Sequence, residues 1–290
     1  MKKIKNFLLG LSIISIALSC KKAITEEPNG FLNDKTLFNT EAGAKAAIIG
    51  AYERISTYYY FGNQYPQFLS FASGAFWPSV ITNQPVAKMA AQPNDALVTR
   101  TWNESYAATN AVNGLIDGML ESPLTGNTKN YILGEGHFLR AVLYFNAVRI
   151  WGAVPLRLHL STGQEIDMAR TPVAEIYAQV IKDLEQAKML MPEPGAQVKG
   201  RPNKYAAYSL LAKVYLTLAG NDQSSTYWPK AYEEAIQVYN SQAYKLVRPY
   251  KDLWDVNKEN SAESIFEIQY STAGGSANGL TQSWIMIQGG

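Results

Sequence analysis

Cysteine and histidine are almost missing from this chain of 290 residues, which has one of the first, Cys20, and two of the second, His137 and His159. A single cysteine excludes an intrachain disulfide, so stability must come from a packed core. Two isolated histidines leave no HExxH or other paired-histidine spacing, and no GxSxG element is present, so the common hydrolase signatures are excluded. Carboxylates are available, but no sequence pattern singles out a pair for glycoside hydrolysis, whose geometry is spatial. No cofactor fingerprint occurs, and no cofactor or metal is expected. Charge is sparse as well: Asp, Glu, Lys and Arg make up 17% of the chain, with no block of one sign. That argues against nucleic acid as a partner.

The N-terminus is distinctive. Lys2, Lys3 and Lys5 precede an apolar run from Phe7 to Ser19. The run is shorter than the roughly 20 residues a bilayer span needs and fits the h-region of a secretory signal. Cys20 follows it directly, behind Ala17-Leu18-Ser19. A small residue before a cysteine at this place looks like a bacterial lipobox, in which the thiol receives diacylglycerol. The alternative is an ordinary signal peptide with an incidental cysteine. The expected organisation is a signal peptide over 1–19, a lipidated tether and extended arm over 20–36, and one helical domain over 37–290. Removing the signal removes three lysines and leaves acidic and basic side chains nearly balanced.

What remains is rich in apolar residues, at 47%, and holds 18 tyrosines. Thr40 and Glu41 open a helix with Ala44, Ala47, Ile48, Ala51 and Ile55 on one face. Residues 61–99, broken by Gly62, Pro66, Gly74, Pro78, Pro85 and Pro93, read as a long irregular loop. Trp102, Tyr106, Thr109, Asn113, Ile116 and Leu120 follow as a helical seam. Pro172, Pro202 and Pro229 each stand at the start of another helix. The spacing predicts helix pairs 131–151 with 172–191 and 202–219 with 229–243, packed antiparallel with Ala141, Ala187 and Ala212 at close crossings. Val154, Leu156, Leu158 and Leu160 alternate as a short strand would, and Ser264–Ser271 reads as another. Glu135, Arg140 and Arg149 read as packing and ion-pair residues, Asn113 as a satisfied buried amide, and both histidines as structural or solvated.

The segment Phe138–Leu156, FLRAVLYFNAVRIWGAVPL, is a helix stopped by Gly152 and followed by an extended piece. As a string it closely resembles the SusD/RagB signature FLRAxxYFxLVxxWGxVPL. RTPVAEIYAQVIKDLEQAKMLMP (170–192), GRPNKYAAYSLLAKVYLTLAG (200–220), AYEEAIQVYNSQAYKL (231–246) and NSAESIFEIQYS (260–271) resemble further family blocks in family order. Small-then-aromatic pairs at Ala141/Tyr144 and Ala212/Tyr215, with Leu184, Ala187 and Pro192, carry a weak tetratricopeptide signal. On spacing alone an ordinary helical domain fits equally well. The resemblance implies a mainly α, SusD-like domain of tetratricopeptide-type helix pairs with long irregular loops and a few short strands. Family members continue past this point, so the chain reads as the N-terminal portion of a longer protein.

Membership would imply a surface-exposed, outer-membrane lipoprotein that binds oligosaccharide or polysaccharide and delivers it to a TonB-dependent, SusC-like transporter, with no catalysis of its own. Alternatives are the same scaffold carrying peptides or glycopeptides, a tetratricopeptide-type interaction scaffold, and a lipid-anchored glycosidase. In the family, part of the sugar site comes from the loop region corresponding here to 61–99. Within it Trp77, Asn83 and Gln84 are the candidate substrate contacts, a stacking ring and two amides. Trp77 could instead plug the helical core, and Tyr58, Tyr59 and Tyr60 fit packing at a helix end. Cys20 is the candidate lipidation site. Cys20→Ala is expected to abolish incorporation of labelled fatty acid and to shift the protein out of the membrane fraction. Retention of the variant on membranes after a salt wash would overturn the anchor.

Overall fold

The computed structural model describes residues 37–270 except 75, 79–80, 162, 164–166 and 256. Cys20 lies outside the described residues. Among the described residues there are eight α-helices: α1 (Glu41–Ser56), α2 (Gln64–Ala72), α3 (Gln84–Ala87), α4 (Ala96–Glu121), α5 (Asn127–Trp151), α6 (Val173–Leu190), α7 (Lys204–Ala219) and α8 (Tyr227–Ser241). Local chemistry sets their ends. The Thr40 hydroxyl accepts from the Gly43 amide at the start of α1, and Asn203 accepts from Tyr205 at the start of α7. Gly152 and Gly220 close α5 and α7 with φ of 67° and 56°, a conformation that favours glycine.

Long helices that follow one another pack antiparallel, and side-chain contacts fix the register. Arg54 meets Glu104 between α1 and α4, and Trp102 meets Trp151 across α4 and α5. His137 and Arg140 meet Asp183, and Phe145 meets Tyr177, across α5 and α6. Lys188 lies over Tyr208 between α6 and α7, and Tyr215 stacks on Tyr227 between α7 and α8. The two predicted helix pairs therefore form, with Ala141 and Ala187 fully buried and Ala212 nearly so. Small residues let the backbones close up: a side chain at Gly134 would meet Met191 Cγ at 2.7 Å and the Met191 backbone N at 3.0 Å. The main core runs through Ile48, Met119, Leu139, Phe145, Ile176, Leu184 and Leu211.

Several expectations are corrected. Of the expected seam of α4, Thr109, Asn113 and Ile116 are buried, together with Leu97, Thr101, Ser105, Ala108, Val112, Leu115 and Met119, whereas Trp102 and Tyr106 sit at its edge and Leu120 is exposed. Residues 61–99 are not all loop. Pro66 occupies the first turn of α2, where its missing N–H costs nothing, and α3 follows a 3₁₀ turn at Ile81–Asn83. Tyr232 and Tyr239 face outward from α8, which buries only Ala231 and has a helix neighbour mainly on one side, α7.

Neither predicted strand forms a ladder. Val154 makes one isolated bridge, to Thr171. The rest of 155–161 is a strap whose backbone groups bond to helix side chains. Tyr106 Oη donates to Pro155 O at 2.8 Å, and Asn113 Nδ2 donates to Arg157 O and His159 O at 3.0 and 3.2 Å. Tyr144 Oη accepts from Arg157 N and donates to Arg157 O. Asp117 accepts from Leu160 N, and Asn110 accepts from Ser161 N. With these polar groups satisfied, a second strand is not required. The described part of the second segment, up to Tyr270, packs Phe266 on Phe138 and donates from Glu267 N to Gly200 O, again without a ladder; Ser271 lies outside the described residues.

A buried polar centre ties helices and strap together. Asp183 Oδ2 accepts from Arg140 Nε at 2.9 Å, and its Oδ1 accepts from Arg140 Nη2 at 2.8 Å. His137 Nδ1 lies 2.8 Å from the same Oδ1. Arg140 Nη1 donates to Leu158 O and to Asn113 Oδ1. Burial pushes the Asp183 carboxyl up, but the hydrogen bonds from His137 and Arg140 and the Arg140 charge outweigh it and hold the group below its ordinary value. On the opposite flank, Tyr52 Oη donates to Glu135 Oε2 at 2.9 Å and Arg201 pairs with Oε1 at 3.5 Å. There burial prevails and pushes the Glu135 carboxyl up.

Asp183→Asn should cost about 3–5 kcal/mol at neutral pH, because Arg140 keeps its buried charge and loses its counterion. A carboxylate depressed in the native state stabilises fully above its unfolded value of about 3.9 and loses that contribution as pH falls through its native value. Thermal melts should therefore show the gap between native protein and variant narrowing as pH drops below about 4. A constant gap would mean that Asp183 is not the titrating group.

Candidate functional site

The candidate substrate residues lie on a small unit beside the main core. Phe71 of α2, Val86 of α3 and Leu97 of α4 form its separate apolar cluster, with Phe68, Ala72, Ala87 and Val98 packed against it. Gly74, at φ 74°, turns the chain out of α2. Phe76 and Trp77 then emerge at the surface, 49% and 63% exposed, and Pro78 is buried behind them. Trp77 therefore does not plug the helical core.

Trp77 and Gln84 are brought together through Lys88, a residue that sequence reasoning did not select. Lys88 Nζ lies 5.7 Å from the centroid of the Trp77 ring and donates to Gln84 Oε1 at 3.3 Å. Gln84 opens the short α3 and Lys88 is its C-cap, four residues on, so they share a face. That spacing was the available signal. Asn83 is half-buried at the junction of the 3₁₀ turn and α3, and its side chain does not cap the helix. Ile81 and Met89, 75% and 77% exposed, flank the cluster.

The tyrosine run divides. Tyr60 is buried against Phe61 and Tyr65, whereas Tyr58 and Tyr59 are exposed, and Arg100 lies 5.7 Å over the Tyr59 ring. The residues read as packing, ion-pair or solvated groups are placed as follows. Arg140 and Asn113 belong to the buried centre, and Glu135 binds Tyr52 and Arg201. Arg149 donates to Asn146 and covers Phe145. The His159 ring is exposed, with Nδ1 2.9 Å from Asp117 Oδ1. Among the described residues no group of three or more His, Cys, Asp or Glu is arranged to hold a metal ion.

Two concavities lie elsewhere. An apolar groove of about 410 Å³ runs between α5 and α7, lined by Phe61, Phe138, Phe145, Leu210 and Phe266. A polar hollow of about 520 Å³ surrounds Trp254, Asp255, Lys258 and Glu263. Neither includes Trp77, Asn83 or Gln84. What the Trp77 cluster offers is an exposed indole face, an amide and an ammonium, groups suited to holding a sugar ring without covalent chemistry.

The family model described as "Starch-binding associating with outer membrane" (SusD-like) matches residues 26–216. A SusD-like protein of Formosa agariphila is 29% identical over 278 residues, covering 92% of this chain and 53% of its own length. The starch-binding protein SusD of Bacteroides thetaiotaomicron is 31% identical over 134 residues, covering 46% of this chain and 23% of its own. The chain spans about half the length of the curated relatives it matches along most of its own length. Among solved structures, a SusD homolog from Bacteroides thetaiotaomicron superposes with a TM-score of 0.72 at 20% identity, over 89% of this chain and 51% of that one. One solved with xylogluco-oligosaccharide gives 0.68 at 23% identity, over 79% of this chain and 46% of that one.

Because Trp77 is 63% exposed, Trp77→Ala is expected to leave stability within about 0.5 kcal/mol of the native protein in denaturant unfolding. A loss of several kcal/mol would restore the core-plug reading.

Proposed function

The chain belongs to the SusD-like family, and on that premise we propose that it captures oligosaccharide at the outer membrane, anchored by lipid on Cys20 and facing the cell exterior. It passes the glycan to a TonB-dependent, SusC-like transporter and does not alter it chemically. The observation that carries this reading is the exposed Trp77 ring with Gln84 and Lys88 beside it, inside the stretch matched by the starch-binding family model. An aromatic face recognises the C–H face of a pyranose, and amides bond its hydroxyls; both work without a catalytic pair. The antiparallel helices supply a rigid body behind the site.

Calorimetry with a panel of oligosaccharides tests this. One or more should bind, and should be recovered uncleaved after incubation. Trp77→Ala should weaken that affinity about tenfold, the scale of one lost stacking contact. Retention of peptides with no oligosaccharide bound would favour peptide cargo, and cleavage of the glycan would favour an enzyme.

A further inference from the structure

Lys88 differs from the other lysines that lie over aromatic rings. Lys188, over Tyr208, is paired with Glu185 and Glu234, and Lys204, over Tyr205, with Glu193. Lys230 lies over Tyr215 and Tyr227, but those rings are buried or half-buried and stacked on each other. Among the described residues Lys88 has no carboxylate partner; its contacts are the Gln84 amide and the exposed face of Trp77.

The surroundings repeat the pattern. From Thr57 to Arg100 the only acidic residue is Asp95, and its Oδ2 accepts from the Gln92 amide at 2.7 Å. Arg100, the other cation of this stretch, is again set over an exposed ring, Tyr59, with no carboxylate partner among the described residues. The unit that carries the candidate site therefore presents exposed aromatics beside cations that are not neutralised. Such a cation can donate to the hydroxyls of a neutral sugar. A sugar bearing a carboxylate or sulfate gains more from it, because Coulomb attraction between opposite charges adds to the hydrogen bond.

We propose that the Trp77–Gln84–Lys88 cluster takes an acidic sugar unit, a uronate or a sulfated residue of a glycan, with the indole against the sugar ring and the Lys88 ammonium paired to its anionic group. This rests on the reading of the cluster as a glycan site. Gln84 accepts from Lys88 at 3.3 Å, an exposed contact that favours the ammonium's place beside the ring. The charge pair is solvent-exposed, so its contribution is modest and falls with salt.

The test is calorimetry on the full chain with oligogalacturonate, a sulfated galacto-oligosaccharide and, as neutral probes, xylogluco- and malto-oligosaccharides, at low and high salt. At least one acidic probe should bind more tightly than every neutral one, and the preference should shrink at high salt. Lys88→Gln should weaken the acidic probe roughly three- to tenfold and the neutral probes by less, so that the acidic preference shrinks, while Lys88→Arg restores most of the loss. Circular dichroism checks that each variant is folded. If neutral probes bind as well as acidic ones, or if Lys88→Gln leaves acidic affinity intact, the acidic preference is overturned while glycan capture stands. If no probe binds, or if Trp77→Ala changes no affinity, the site itself is overturned, and the acidic preference with it.

Discussion

The carboxylate of Asp183, held bidentately by Arg140 and bonded by His137, is the interaction on which the rest of this structure depends. It fixes the register of α5 against α6. The same guanidinium reaches Leu158 O and Asn113 on α4, so one side chain reads the positions of three helices and the strap. A buried ion pair of this kind contributes little net stability over an apolar replacement of the same shape. Its value here is specificity: apolar faces of helices can slide by a turn, and a fork of two N–H groups on one carboxylate cannot. The glycines and alanines of α5 sharpen this, since at Gly134 the approach of Met191 leaves no space for a side chain.

The candidate site is built on different terms. It stands on three buried apolar side chains, Phe71, Val86 and Leu97, apart from the large core. Short elements with a small core of their own tolerate variation in sequence and length without disturbing the array behind them.

Most of the helical array was legible in the sequence, because apolar spacing and end signals such as Thr40, Pro202 and Gly152 are local. The two strands were misread for one reason. Alternating apolar residues specify an extended chain, but a ladder also needs a neighbouring strand, and here the groups of 155–161 are met by Tyr106, Asn113, Tyr144 and Asp117 from helices distant in sequence. Residues 61–99 hid α2 because prolines and glycines suggested breaks, although Pro66 stands where a helix accepts it. At the site, Trp77 and Gln84 could be selected by chemistry alone. Lys88 could not, since its meaning comes from lying over the Trp77 ring and from the lack of a carboxylate nearby. Cys20 stays a sequence-level expectation.

The antiparallel order of the long helices has an electrostatic consequence. Each helix carries a macrodipole of roughly half a unit charge at either end. With N- and C-termini alternating along both rims of the array, these partial charges cancel over distances longer than one helix diameter. The side chains are nearly balanced as well. The helix dipoles then add little net field to that of the side chains, so electrostatic attraction is local to groups such as Lys88 and Arg100. On the proposed reading, discrimination between ligands would accordingly rest on how long each one stays, through contacts within a few ångströms of the rings and cations of the 57–100 unit.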